Sequence, residues 1–264
     1  MSALPQLQHF STTDPRATVL LLHGYAEYTG RYPKLITLFN DAGFEVFAYD
    51  QRNHGACAPK DHAVVDVRQL LDDHLELREQ VRARMNTEQL FLFGHSMGGL
   101  LSAASALVNP RGLAGVALSG PAFLQYPPVP KWVARLALPL ARLAPRFSAA
   151  SIASKQLAHD PQIARDFIAD PLNYQGKVPL LTGTTMALVG HETLADAMNW
   201  DQHLPLQIFH GDSDGLANVQ GSRDFARASG GNLVEVPGGY HEIFQEPEAD
   251  ELHQQLLDFY LAQL

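Results

Sequence analysis

A short apolar run leads directly into a glycine-flanked serine in the segment Leu90-Phe91-Leu92-Phe93-Gly94-His95-Ser96-Met97-Gly98-Gly99, and an alanine-rich stretch follows. This order predicts a strand that turns sharply into a helix, which is the setting of a nucleophile elbow. Such a turn needs glycines on both sides of the serine because side chains there would collide. Gly-x-Ser-x-Gly also arises by chance as a glycine-rich turn, but its position between a strand and a helix favours Ser96 as a nucleophile.

Strand-like apolar runs alternate with helical periodicity along much of the chain. This alternation predicts an α/β fold with a mainly parallel sheet covered by helices on both faces. The N-terminus leaves room for only a short leading strand, if any. The predicted strands cover residues 19–22, 45–49, 90–93, 116–118, 206–209 and 233–236. The predicted helices cover residues 32–42, 67–85, 99–108, 219–228 and 247–261.

The alternation stops between residues 121 and 204, where the sequence contains many prolines and no convincing strand. A structureless loop of that length is implausible inside a compact domain. We therefore expect a core formed by residues 1–120 and 205–264, with a helical cap inserted over residues 121–204. The cap contains short helical patterns, such as those of residues 131–143 and 178–197, and Pro139 is expected to interrupt the first.

The cap also differs from the rest of the chain in charge. No Asp or Glu occurs between Gln89 and His159, although the chain is acidic overall. One interpretation is a basic amphipathic helix that lies transiently on an anionic lipid surface. The other is a cap helix whose apolar face packs on the core while its arginines face solvent. The basic residues are Lys131, Arg135, Arg142, Arg146 and Lys155, and the interleaved apolar residues are Trp132, Leu136, Leu140 and Leu143.

Composition excludes several classes of protein. A chain of 264 residues with 46% hydrophobic content can bury a large core, and a formal net charge of -9 argues against a nucleic-acid partner. The single cysteine, Cys57, cannot form an internal disulfide, and no Cys/His cluster has metal-binding spacing, so neither a metal nor a cofactor is expected. Residues 1–10 lack a signal-peptide pattern and no apolar run is long enough to span a membrane. We expect a cytoplasmic protein, at most peripheral at a membrane.

A serine hydroxyl becomes a nucleophile only when a base takes its proton and an acid orients that base. Asp212 and Asp214 follow the predicted strand 206–209, and His241 follows the strand 233–236. Open parallel sheets place their sites in such loops, and the order serine, acid, histidine is that of α/β-hydrolases. Asp214 is preferred because it lies further into its loop, and Asp212 is then a turn-stabilising residue.

Twelve histidines compete for the role of base. His241 is favoured because it lies in a glycine-rich loop between a strand and a helix. His95, inside the elbow, is better explained as a structural partner or pocket wall, and His54 as a residue that braces loops.

Acyl transfer also needs donors for the developing oxyanion. The elbow supplies the backbone N–H of Met97 at the start of a helix, where the helix dipole favours negative charge. The second donor is expected from the loop after the first main strand, where His23-Gly24-Tyr25 offers the N–H of Tyr25.

Together these motifs resemble those of α/β-hydrolases of the monoacylglycerol lipase and lysophospholipase type, the serine aminopeptidase S33-like family. The resemblance implies a triad of Ser96, Asp214 and His241. It also implies an oxyanion hole formed by Tyr25 and Met97, and hydrolysis of lipid monoesters through an acyl-enzyme, monoacylglycerols first and lysophospholipids second. The segments that carry the resemblance to this family are His23-Gly24-Tyr25-Ala26-Glu27-Tyr28-Thr29-Gly30-Arg31-Tyr32, Asp50-Gln51-Arg52-Asn53-His54-Gly55, the elbow, residues 210–214, Tyr240-His241-Glu242 and Asp170-Pro171-Leu172.

Two features depart from the family pattern. In the family, a glycine and a small residue, here Gly55 and Ala56, are usually followed by serine, whereas this chain has Cys57. The short N-terminal lead indicates that the first antiparallel strand is reduced or missing. Neither touches the triad. Because the cap shapes the acyl pocket, an esterase for small soluble esters is the alternative, and peptidase or C–C hydrolysis is less favoured. A hydrolase-fold protein that only binds its ligand is the alternative from another class. The sequence does not indicate an oligomeric state.

Overall fold

The apolar runs form a sheet of seven strands within the described residues of the computed structural model. The structure describes residues 4–58, 64–151, 156–247 and 249–264. The strands, including a separate pair β6–β7, are β1 (Gln8–Phe10), β2 (Ala17–Leu22), β3 (Phe44–Ala48), β4 (Leu90–His95), β5 (Leu113–Ser119), β6 (Ser148–Ser151), β7 (Lys177–Pro179), β8 (Leu206–Gly211) and β9 (Asn232–Val236).

Strand order across the sheet is β1-β3-β2-β4-β5-β8-β9. β1 pairs antiparallel with β3, and the other neighbouring strands pair in parallel. This confirms the predicted mainly parallel sheet. The leading strand that the sequence left open is present, but it has only three residues. Because parallel strands align their carboxyl ends, the loops after β2, β4, β8 and β9 meet at one edge of the sheet.

Helices cover both faces of the sheet. The α-helices of the described residues are α1 (Pro33–Asp41), α2 (Val67–Arg82), α3 (Met97–Val108), α4 (Lys131–Leu143), α5 (Pro161–Ala169), α6 (Leu180–Asp196), α7 (Val219–Ser229) and α8 (Asp250–Leu261). Side chains alternate along the buried strands. Leu20 and Leu92 pack in the apolar cluster under α2, α3 and α7, whereas Leu21 and Phe93 pack in the cluster under α1 and α8. Both faces of the central strands are therefore buried.

The segment between β5 and β8 differs from its prediction in two details. It contains the short antiparallel pair β6–β7, which the sequence did not indicate because three or four residues are too few to show periodicity. The expected break at Pro139 is wrong, since α4 continues through this residue. A proline removes one N–H donor, and α4 lies largely at the surface, where water can satisfy the freed carbonyl.

α6 joins this segment to the rest of the molecule. Ala187 and Leu188 pack against α4, while Met186 and Val189 belong to the cluster around α2 and α3. The hydroxyl oxygen of Thr182 also accepts the backbone N–H of Val65 at 2.9 Å. The division into a core and a cap at residues 120 and 204 stays a prediction, and Lys155, one of the basic cap residues, lies outside the described residues. Among the described residues, no helix combines the length and apolar character needed to cross a bilayer.

Candidate active site

Ser96 lies in a strained turn between β4 and α3, with φ 55° and ψ -117°. Positive φ is unusual for a residue with a side chain and persists only where the surroundings enforce it. The flanking glycines leave no room for side chains. A Cβ on Gly98 would lie 2.3 Å from the Leu22 carbonyl oxygen, and a Cβ on Gly94 would lie 2.4 Å from the Gly98 carbonyl oxygen. The close approach of three backbone segments therefore requires both glycines.

Backbone hydrogen bonds hold the elbow on the neighbouring strand. The N–H of Ser96 donates to the Ser119 carbonyl at 2.8 Å, and the Ser96 carbonyl accepts the N–H of Ala122 at 3.0 Å. The side chain of Ser96 makes no capping hydrogen bond to α3. Its hydroxyl is thus not required to hold the turn.

Asp214 and His241 form a buried pair in the loops after β8 and β9. Nδ1 of His241 lies 2.6 Å from Oδ2 of Asp214. The other carboxylate oxygen accepts the backbone N–H groups of Leu216 and Ala217 at 2.8 and 2.9 Å. These bonds fix the carboxylate, which in turn holds the proton of the imidazole on Nδ1 and leaves Nε2 free to accept one.

His210 is a second partner of Asp214 that the sequence analysis missed. Its Nε2 lies 3.2 Å from Oδ2 of Asp214 and 3.1 Å from the Ala217 carbonyl oxygen, and its Nδ1 lies 2.7 Å from the Ser222 hydroxyl. The only available signal was its position at the end of a predicted strand, four residues before the acid.

The pair shifts the titration of both groups. Burial by itself raises the pKa of Asp214, but the charge of His241 and the hydrogen bonds from His210 and His241 outweigh it, so the pKa falls well below its usual range. Burial lowers the pKa of His241, but the charge of Asp214 and the hydrogen bond to it outweigh burial and raise the pKa above its ordinary value. Asp214 is therefore ionised at neutral pH.

Asp212 lies away from this pair and is exposed. Its carboxylate accepts the N–H of Gly238 at 2.7 Å and the hydroxyl of Ser213 at 3.0 Å. It therefore joins the loop after β8 to the loop after β9, which carries His241. The sequence analysis expected Asp212 to bond only within its own turn.

The two other candidate histidines are buried and neutral. His95 faces the Ser119 hydroxyl at 3.1 Å, and its ring centre lies 4.7 Å from that of His241. His54 packs edge-on against Tyr25. Burial, with a neighbouring histidine in each case, lowers the pKa of both to about 3. Neither accepts a proton near neutral pH.

The loop after β2 passes directly beside the serine. A Cβ on Gly24 would lie 3.1 Å from the Cβ of Ser96. The N–H of Gly24 donates to Oε1 of Glu27 at 2.6 Å, and the Gly24 carbonyl lies 2.7 Å from Nδ1 of His23. These bonds fix the residue that precedes Tyr25, one of the expected oxyanion donors. The other, Met97, is the first residue of α3.

A cavity of about 390 Å³ lies beside Ser96, which forms its wall together with Tyr25, His95 and His241. Its size is typical of a site for a small molecule. Most of the remaining wall is apolar and comes from the segment between β5 and β8; examples are Val133, Ala134, Ala137, Val178, Leu180 and Met186. The arrangement provides an apolar compartment that opens on the side chain of Ser96. Among the described residues, no group of three or more His, Cys, Asp or Glu is placed to hold a metal ion.

Known proteins of similar sequence and structure point to one family. Residues 13–248 match the family described as serine aminopeptidase, S33. The monoacylglycerol lipase of Mycolicibacterium smegmatis is 34% identical over 89% of this chain and 85% of that protein. The human monoglyceride lipase is 25% identical over 89% of this chain and 78% of its own.

Among solved structures, the monoacylglycerol lipase of Paleococcus ferrophilus has a TM-score of 0.85 and 29% identity, covering 98% of this chain and 99% of that one. A soluble variant of the Saccharomyces cerevisiae monoglyceride lipase, solved with a substrate analog, has a TM-score of 0.81 and 23% identity, covering 99% and 96%. These findings confirm the resemblance and the α/β-hydrolase fold. The chain belongs to the serine aminopeptidase S33 family.

Proposed function

We propose that this protein is a serine hydrolase of carboxylic esters and that monoacylglycerols are its first substrate class. The observation that carries the proposal is that Ser96 and His241 lie at the wall of one apolar cavity while Asp214 contacts His241 from behind it. Relatives named monoacylglycerol lipase support the same substrate class. Lysophospholipids are the second class, and small soluble esters are the alternative.

The proposed reaction has two halves, formation of an acyl-enzyme and its hydrolysis, and Ser96, His241 and Asp214 act in both. Nε2 of His241 takes the proton of the Ser96 hydroxyl as its oxygen attacks the ester carbonyl, and Asp214 stabilises the imidazolium. The backbone N–H groups of Tyr25 and Met97 bind the oxyanion. The imidazolium then protonates the leaving glycerol oxygen. A water molecule, activated by the same histidine, releases the fatty acid from the acyl-enzyme.

Acyl-chain length tests the substrate class. We expect kcat/KM to rise from acetyl to medium or long acyl chains, since each methylene buried in the cavity contributes about 0.8 kcal/mol, roughly fourfold. The measurement is kcat/KM across a series of monoacylglycerols and p-nitrophenyl esters, with a lysophosphatidylcholine included. A preference for acetyl esters would refute the lipid proposal and favour small soluble esters.

A paired substitution links this preference to the cavity. Ala137 on α4 lines the cavity wall, whereas Ala144, just beyond the end of the same helix, does not. Ala137→Leu should reduce kcat/KM for long chains more than for acetyl esters, and Ala144→Leu should leave the profile unchanged. We assign the segment 121–204 the role of the cap that sets this profile.

We further propose that the cap contacts lipid surfaces transiently. Three large apolar side chains of α4 face solvent: Trp132 is 66% exposed, Leu136 74% and Leu143 85%. Arg135 and Arg142 are exposed beside them. The opposite side of the helix lines the cavity, so a helix in contact with lipid would place the cavity next to its substrate.

Vesicle binding tests the lipid contact. We expect sedimentation with anionic vesicles at low salt that weakens as salt rises, because each basic residue contributes about 1 kcal/mol and the attraction is screened. Arg135→Gln/Arg142→Gln should weaken binding, and the matched change Arg84→Gln/Arg227→Gln, at exposed arginines outside the cap, should not. If the protein stays in the supernatant at every salt concentration, the cap does not bind lipid surfaces and serves only as a specificity lid.

A further inference from the structure

A buried arginine joins two loops of the site. Arg31 donates from Nη1 and Nη2 to Oε1 and Oε2 of Glu242, both at 2.7 Å. Nη1 also donates to Oε2 of Glu27 at 2.7 Å. The side chains of Glu27 and Glu242 are each 3% exposed, and that of Arg31 is 11% exposed. One guanidinium is therefore shared by a carboxylate from the loop after β2 and a carboxylate from the loop after β9.

On one side, the cluster holds the loop of the expected oxyanion donor. Oε1 of Glu27 accepts the N–H of Gly24 at 2.6 Å and the hydroxyl of Tyr32 at 2.5 Å. Gly24 directly precedes Tyr25. Movement of the Glu27 carboxylate would therefore displace the backbone that presents the Tyr25 N–H.

On the other side, the cluster reaches the catalytic histidine and the cavity wall. Glu242 directly follows His241, and its N–H donates to the Leu157 carbonyl at 2.7 Å. The ring of Phe167 lies 4.9 Å from the guanidinium of Arg31. Leu157 and Phe167 both line the cavity. Glu242 thus fixes the loop after β9, which carries His241, both to the loop after β2, which carries Tyr25, and to the cap.

The structure assigns Glu242 the role of a positioning residue: through Arg31 it fixes the loop of His241 on the loop of Tyr25, and it adds a second carboxylate to the charges that act on the imidazole. This assignment rests on the proposed triad, in which His241 is the base. Both halves of the proposed reaction create an imidazolium, so a nearby negative charge stabilises each transition state.

The titratable and charged groups around the imidazole, apart from Glu242, come from three elements: the loop after β8, the loop after β2, and β4. Asp214 follows β8, Glu27 follows β2, His95 ends β4 and is neutral, and Arg31 bridges the two glutamates. Burial lowers the pKa of His241, and the charges of Asp214, Glu242 and Glu27 more than compensate. Burial raises the pKa of Glu242 itself, while its two hydrogen bonds from Arg31 favour the ionised carboxylate. Removing this charge lowers the pKa of His241. Since the base acts when neutral, activity then persists to lower pH.

The first test is Glu242→Gln, which keeps the shape of the side chain and removes its charge. We expect the acid limb of the kcat/KM–pH profile to move to lower pH, and kcat at the plateau to fall by roughly tenfold to a hundredfold, as misplacement of reacting groups commonly causes. The control is Glu235→Gln, which breaks a pair with Arg223 on the exposed face of β9 and should leave the profile unchanged. An unshifted acid limb in folded Glu242→Gln would overturn the proposal.

Arg31→Lys gives an independent test if Glu242→Gln does not fold. It keeps the positive charge but cannot bind the Glu242 carboxylate through two parallel hydrogen bonds. We expect kcat to fall across the pH range while the acid limb stays in place, and wild-type kinetics would contradict the positioning role. These outcomes are separate from the proposed function, because the proposed function is tested on the wild-type protein: it fails if that protein does not hydrolyse esters or does not react at Ser96.

Discussion

Ser96→Ala should lower kcat by a factor on the order of 10⁴ or more without unfolding the protein. The substitution removes the oxygen that would form the acyl-enzyme. It retains the Cβ, so the strain of the φ 55° turn is unchanged, and the backbone bonds of this residue to Ser119 and Ala122 remain. The measurements are ester hydrolysis and a thermal unfolding curve for the wild-type and variant proteins.

Covalent labelling separates this mechanism from simple ligand binding. A fluorophosphonate probe should label the wild-type protein at Ser96 and should not label Ser96→Ala. Ser213→Ala is the control, because this exposed serine lies in the neighbouring loop and, among the described residues, its hydroxyl bonds to Asp212 alone. A wild-type protein that resists labelling would be a hydrolase-fold binding protein instead.

The sheet could be predicted because its signal is local. Its longer apolar strands occupy runs that are buried on both faces, as Leu20, Leu21, Leu92 and Phe93 show. The elbow could be predicted for the same reason, since the residues that force the turn lie within five positions of one another. The observed strand boundaries differ from the predicted ones by one to three residues, because the hydrogen bonds between strands extend beyond the apolar residues.

The orientation of α4 could not be predicted from the sequence. The spacing of Trp132, Leu136 and Leu140 indicates an apolar face on α4 but does not tell which way the face points. In the structure, small residues such as Ala134 and Ala141 face inward and the large apolar ones face outward. The interpretation that the apolar face packs on the core is therefore wrong for these large side chains.

Contacts between residues distant in sequence also could not be predicted. Glu27 and Arg31 were visible as parts of a motif, but the bond from Arg31 to Glu242 spans 211 positions. No periodicity marks such a contact, because it exists only after the sheet has brought the loops after β2 and β9 to one edge. The same holds for the bond from Asp212 to Gly238.

Asp214→Asn should nearly abolish turnover, by a factor on the order of 10⁴. The amide N–H₂ of asparagine would face Nδ1 of His241, so the imidazole would carry its proton on Nε2 and could not accept one from Ser96. The lost charge would also lower the pKa of His241, which moves the acid limb of any residual activity to lower pH. The amide oxygen can still accept the N–H groups of Leu216 and Ala217, so the loop should fold.

Asp212→Asn is the matched comparison, since it makes the same change two residues away at an exposed position. Its amide oxygen can still accept the N–H of Gly238, so turnover should stay close to that of the wild-type protein. The measurement is kcat for both variants alongside their unfolding temperatures. The opposite pattern, with Asp212→Asn inactive and Asp214→Asn active, would reverse the assignment of the acid. If each substitution alone abolished turnover, the contact of Asp212 with the histidine loop would be as necessary to the site as the acid itself.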